Sequence, residues 1–199
     1  MKQQIPYQSY QLKSTFGQTA VNIRPMKPGD TELLMDLHMR LSDESLYKRF
    51  LRLYRPTVRD IQFITNLSAT QGAGVVATTT QNGRELAIGL AYYVVEEDSQ
   101  VPSAEPAFVV DDWYQGQGLG KKLFSALCQT AVAHQIACFN VVVHPANGSM
   151  MRIFERSGLP MQQQLHYGER ELCIQLPSPA RQHFMNTAVT AHSIYQQQL

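Results

Sequence analysis

The sequence predicts a mixed α/β domain, and three observations carry that expectation. Val109-Val110 leads through the turn Gln115-Gly-Gln-Gly-Leu-Gly120 into an amphipathic stretch, so strand, glycine-rich turn and helix follow without a gap. Residues 74–80 and 85–95 are β-rich and flank Asn82-Gly83, a two-residue hairpin signal, so they should pair antiparallel. Downstream, residues 136–143 read as a strand and Asn147 opens a further helical pattern.

The remaining elements follow in order. Residues 21–24 alternate before Pro25 and read as the first strand, and Asp30 or Thr31 can cap a helix that turns Leu33, Leu34, Leu37 and Leu41 to one side. A second helix is expected from Ser42 to Ser45 onward, and a third over 58–66 with Ile61, Ile64 and Leu67 inward; Pro56 separates them. Residues 96–103 form a loop and 104–110 the strand that enters the glycine turn. The helix over 118–134 buries Leu119, Leu123, Phe124, Leu127 and Val132, and a helix over 147–157 and a strand over 172–176 complete the domain. Residues 1–19 stand apart as an extension, 20–176 as the domain, and 177–199 as a tail that a helix, a dimer contact or disorder would explain equally well.

Composition removes several function classes. At 199 residues the chain is one domain by size, and charged residues are 17%, below the roughly 25% of soluble proteins. A net charge of +1 provides no basic field, so nucleic acid is not an expected partner. Cys128, Cys138 and Cys173 are odd in number and lack CxxC spacing, which argues against a disulfide framework or a bound metal and suits a reducing cytoplasm. With no signal-like N-terminus and no apolar run near ~18 residues, a soluble protein without a membrane partner is expected, monomeric or homodimeric.

The glycine turn is where chemistry concentrates. Gly116, Gly118 and Gly120 let backbone approach a ligand, and the free amides of the helix that follows favour an anion such as a cofactor phosphate. A nucleotide P-loop would need Gly-Lys-Ser/Thr, but Gly120 is followed by Lys121-Lys122-Leu123. A dinucleotide fold would carry its glycines in the first strand-turn-helix unit, and here they lie past mid-chain. A helix cap without ligand explains the glycines alone.

Gln115-x-x-Gly118-x-Gly120 after a strand resembles the pyrophosphate-binding motif of the GNAT superfamily of acyl-CoA-dependent N-acyltransferases, and Asn147 and Gly158 after the next strand strengthen the likeness. Ala104-Glu-Pro-Ala-Phe-Val-Val110, Leu41-Ser-Asp-Glu-Ser-Leu-Tyr-Lys-Arg-Phe50 and Asn147-Gly-Ser-Met150 are similar to blocks of bacterial protein-lysine acetyltransferases of the Pat type. The resemblance implies a largely antiparallel central sheet with helices on both faces. It implies acetyl-CoA as co-substrate, held by Val109, Val110, Gln115, Gly116, Gln117, Gly118, Leu119, Gly120, Lys121, Asn147 and Met150, and Glu105 as general base. The backbone NH near Val110 would bind the thioester oxygen. The chain departs from the pattern at Ser68, where an Asp is expected, and at Pro106, where an apolar residue is expected. Phe154 stands where many relatives have a Tyr that protonates the thiol, though a thiolate, with thiol pKa ~8.5, leaves tolerably without help.

Other candidates read as structural. Asn147 is explained about as well by a helix cap, and His38, His134 and His144 as structural groups. Trp113 reads as a packing anchor, and only one of Tyr92 and Tyr93 can face an acceptor cleft. The expected activity is acetyl transfer from acetyl-CoA to a primary amine, with a protein lysine as acceptor. The alternatives are a small-molecule amine acceptor and a catalytically silent acyl-CoA-binding module.

Overall fold

The computed structural model describes residues 8–14, 17–97, 99–145, 147–166 and 169–177. The tail expected from 177 onward lies outside these residues apart from Pro177.

Two strands, β1 (Gln8–Ser14) and β2 (Gly17–Pro25), precede a single helical turn and α1 (Thr31–Arg40). Asp30 opens α1, but its carboxylate accepts from Lys27 N and from both terminal nitrogens of Arg24, at 2.7 and 2.8 Å. This buried pair fixes the strand-to-helix corner, and removal of one partner would leave an uncompensated charge. Helix α2 (Asp43–Phe50) starts where Ser42 Oγ accepts from Ser45 N, and α3 (Val58–Thr65) where Thr57 and Asp60 form a capping box. β3 (Gly72–Gln81) and β4 (Arg84–Val95) pair antiparallel around Asn82-Gly83, both at positive φ, as the hairpin signal required. β5 (Ser103–Val110) leads to the glycine turn and α4 (Leu119–Ala133), followed by β6 (Cys138–Val143), α5 (Gly148–Glu155), β7 (Met161–His166) and β8 (Glu169–Gln175).

The eight strands form one sheet in the order β1-β2-β3-β4-β5-β6-β8-β7, antiparallel throughout except for β5 and β6. One core lies under α4 and α5, where Phe108, Phe124 and Phe154 pack edge to face with centroids 5.2–6.2 Å apart. The other lies under α1, α2 and α3, built on Leu34, Leu37, Leu46, Ile61 and Val109. Each such side chain withdrawn from water contributes ~1.5–3 kcal/mol, which holds helices to both faces. Among the described residues no helix is long and apolar enough to cross a membrane.

Two strands escaped the sequence reading. β1 lies in the stretch set apart as an extension and pairs with β2, and β7, Met-Gln-Gln-Gln-Leu-His, is an edge strand with Leu165 exposed and no apolar alternation to announce it. Trp113, expected to anchor packing, is 80% exposed, because the helical turn that carries it turns Tyr114 to the core and Trp113 away from it.

Candidate active site

β5 and β6 pair in register only at Ser103 with Cys138 and Ala104 with Phe139, next to the bond from Ala137 N to Pro102 O, and then diverge. The wedge between them is the geometric centre of the site. On its other edge β5 pairs with β4 in unbroken register, and Glu96 N donates to Ser103 O while Asp111 N donates to Ile88 O. Antiparallel ladders alternate bonded and non-bonded pairs. Hence Glu105, Ala107 and Val109 turn their backbone groups to β4, whereas Pro106, Phe108 and Val110 turn theirs into the wedge. Val109, expected to bind the cofactor, thus has its NH and C=O engaged on the β4 side, while Phe108 and Val110 turn theirs into the wedge; all three line the cleft described next. The same parity explains Pro106, whose missing donor falls where no ladder bond is made.

A cleft of about 180 Å³ opens beside this wedge, bounded by α2 (Ser45, Lys48, Arg49), β5, the glycine turn (Gln115, Gly116, Gly120) and α5 (Asn147, Met150, Ile153). Gly116 and Gly118 have φ of 72° and 85°, and a Cβ at either would meet nothing within 4 Å. The left-handed backbone therefore favours glycine there, and the space before the amides of α4 is open to a ligand. At Gly120 a Cβ would lie 2.7 Å from Ile153 Cδ1, so glycine lets α4 approach α5. Asn147 caps α5 through Met150 N at 3.1 Å, as the capping reading had it, while also lining the cleft.

Not every expected residue faces the cleft with its side chain. Leu119 is buried in the core, and Lys121 lines a different groove, with Phe124 and Cys128 on α4. Gln117 turns back to donate to Trp113 O at 2.8 Å. Gly118 caps α4, and Gln115 donates to Val110 O at 3.0 Å, leaving the Val110 NH as the group that points into the wedge.

Glu105 is exposed and lies outside the cleft, in a recess of about 450 Å³ with Glu96, Asn140, Glu171 and Cys173. Asn140 donates to Glu96 at 2.7 Å, and Ser103 Oγ donates to the same carboxylate. Tyr92, on that face of β4, receives a hydrogen bond from Arg49 at 2.6 Å, and Tyr93 is fully buried with its hydroxyl 2.7 Å from His134 Nδ1. The alternation thus places Tyr92 beside α2 and Tyr93 in the core. Phe154 is buried and offers no phenol.

Asp112 was not anticipated. Its carboxylate accepts from Ser42 N at 2.8 Å, Ser42 Oγ at 2.9 Å and Ser45 Oγ at 2.5 Å, and from Gln115 Nε2 at 3.3 Å, so it ties the start of α2 to the glycine turn. Burial alone would raise its pKa, but the bonds from Ser45 and Ser42 outweigh it and hold the group below the usual carboxylate range. Beside it Asp111, buried, pairs with Arg40 at 3.0 Å. The adjacent Asp111-Asp112 before the glycines was the only signal, and partners some 70 residues away hid its meaning.

The fold and the wedge beside a glycine-capped helix define an acyltransferase architecture. A model of the GNAT acetyltransferase family matches residues 39–159, well over half of the chain, and the chain belongs to that family. Acetyltransferase Pat of Mycolicibacterium smegmatis is 32% identical over 136 residues, covering 68% of this chain and 40% of that protein, so the chain spans less than half the length of this curated relative. The GNAT domain of S. lividans PAT superposes with a TM-score of 0.73 at 27% identity, covering 85% of this chain and 97% of that one. A GNAT superfamily phosphinothricin acetyltransferase from Sinorhizobium meliloti, solved with acetyl-CoA, shares the fold with a TM-score of 0.62 at 17% identity, covering 80% and 91% of the two chains.

Proposed function

We propose that the chain transfers an acetyl group from acetyl-CoA to a protein lysine, with Glu105 as general base. The observation that carries the reading is the one-sided opening of β5. It offers the NH of Val110 to the wedge while the free amides of α4 and the open space over Gly116 and Gly118 await an anion at the wedge's outer end. Those amides would hold the pyrophosphate, and the carbonyl of the thioester would accept from the Val110 NH, which develops its full strength as charge builds on that oxygen.

Glu105 lies on the face of the sheet from which an amine would enter. Val110 stands five residues further along the strand, about 17 Å at ~3.3 Å per residue, so the proton passes from the amine at the thioester to Glu105 along a chain of waters. Lysine is protonated at neutral pH and needs such a base before it can attack. The thiolate leaves unassisted, since the position of the usual phenol holds Phe154.

Glu105→Gln keeps shape and removes the base. Acetyl-CoA binding by calorimetry should persist, while turnover falls about 100- to 10,000-fold, less at high pH where the amine ionises unaided. An unchanged rate removes Glu105 from the mechanism, and wild type failing to bind acetyl-CoA removes the whole reading. Labelled acetyl-CoA incubated with cell extract, split into protein and small-molecule fractions, tests the acceptor: label confined to small amines replaces the lysine with a small-molecule acceptor.

A further inference from the structure

Beside the cleft, a second groove of about 530 Å³ runs between α2, α3 and β4, and it has no role in holding a thioester. Three guanidiniums line it, Arg49, Arg52 and Arg59, with a single carboxylate, Asp60. Asp60 is already committed, accepting from Tyr54 at 2.6 Å and from the Thr57 backbone and hydroxyl at 2.7 and 2.6 Å. The ion pairs among the described residues involve Arg24, Arg40, Lys48 and Arg55, and none of the three groove arginines. Instead Arg49 lies 4.7 Å over the ring of Phe50 and 5.5 Å over that of Tyr92, and Arg52 lies 4.6 Å over Tyr54. Arg49 also donates to the Tyr92 hydroxyl at 2.6 Å; stacking fixes the plane of each guanidinium, which is the geometry that receives a carboxylate on its edge.

The groove meets the recess of Glu105. Val94 lines it and stands directly opposite Glu105 in the β4–β5 register, which puts their Cβ atoms about 5 Å apart. The same sheet face is therefore anionic over β5 to β8, through Glu96, Glu105 and Glu171, and cationic under α2 and α3. A lysine alone would be indifferent to the arginines; an acceptor that bears opposite charges would be oriented by both halves.

We propose that this groove selects acceptor segments in which an Asp or Glu stands two residues from the acetylated lysine, with the acid on the arginines and the lysine entering past Glu105. This rests on the lysine reading above. In an extended segment, side chains two residues apart lie on the same side about 7 Å apart, enough to reach past Val94, opposite Glu105, into the groove.

The test uses three peptides that differ only at the second residue from one lysine, which is Glu, Gln or Arg. The Glu peptide should have a kcat/KM about three- to tenfold above the Gln peptide, as expected for one or two solvent-exposed pairs, and the Arg peptide should be the poorest. The advantage should shrink as salt rises. It should vanish in the double variant Arg52→Gln, Arg59→Gln, both at exposed positions, with acetyl-CoA binding unchanged. Equal rates for Glu and Gln peptides, or a preference that survives the double variant, overturns the inference. If no peptide is acetylated, the lysine reading fails separately, and fluorescence anisotropy of the same peptides on the acetyl-CoA-loaded protein decides the groove: tighter binding of the Glu peptide, lost in the double variant, supports it, and equal binding overturns it.

Discussion

Replacing Asp112 by Ala should loosen α2 from the glycine turn. The carboxylate accepts three bonds from Ser42 and Ser45 at 2.5–2.9 Å and a longer one from Gln115. A hydrogen bond to a charged group is worth ~1.5–3 kcal/mol when shielded, but Ser42 is exposed and water competes, so about 1 kcal/mol each is the proper scale. The loss should total about 2–3 kcal/mol, which lowers the melting temperature of a chain this size by about 5–10 °C. Gln115 loses a partner beside Val110 O, and the cleft loses the register of Ser45 and Arg49, so acetyl-CoA affinity should fall about tenfold, equivalent to ~1.4 kcal/mol. Asp112→Asn, which retains an acceptor oxygen, should show about half of each effect. Because the folded pKa is depressed, this stabilisation is complete above the unfolded value near ~4 and is lost as pH falls through the folded value. Thermal denaturation and titration calorimetry at neutral pH provide the measurements. A melting temperature within roughly 1 °C of wild type with unchanged affinity would refute the claim that Asp112 couples α2 to the turn.

Other outcomes follow from single features. Gly118→Asp places a carboxylate in the open space before α4 at a φ of 85°, so acetyl-CoA binding by calorimetry should be abolished; equal binding would remove the anion-site reading. His38 is buried with Nδ1 2.8 Å from Leu34 O, and burial lowers its pKa, with Arg49 acting in the same sense against that hydrogen bond. Its neutral form is therefore favoured in the fold. Stability should be full above ~6.5 and decline toward lower pH at no more than ~1.4 kcal/mol per unit, a slope that urea melts should find flattened in His38→Asn. Trp113→Ala should change stability by no more than about 0.5 kcal/mol, since the ring is 80% exposed, and a larger loss in a urea melt would restore it as a packing anchor.

The long periodic elements and the glycine turn were legible in the sequence because their determinants are local. Asn82-Gly83 requires positive φ at two adjacent residues, and Gly118 caps α4 where a side chain would strain. Leu119, Leu123, Phe124 and Leu127 recur at helical spacing, so α4 and its buried face were readable from one window. β7 carries almost no such pattern; it is a strand because β8 lends it hydrogen bonds, and an edge strand need not bury alternate residues. Trp113 differs for a related reason: size predicts burial only where the side chain turns to the core, and in this turn Tyr114 does so instead.

What the sequence determined by itself is therefore the helices and inner strands in their order, the glycine-capped helix and, through its resemblance, the family. What the tertiary structure decided is which groups meet: that β5 opens after Ala104, that Tyr92 meets Arg49 of α2 while Tyr93 is buried in the core, and that Asp112 holds α2. These facts depend on pairing between residues tens of positions apart, where sheet register sets the face each side chain occupies, and a single residue's slip would turn every one of them to the other side.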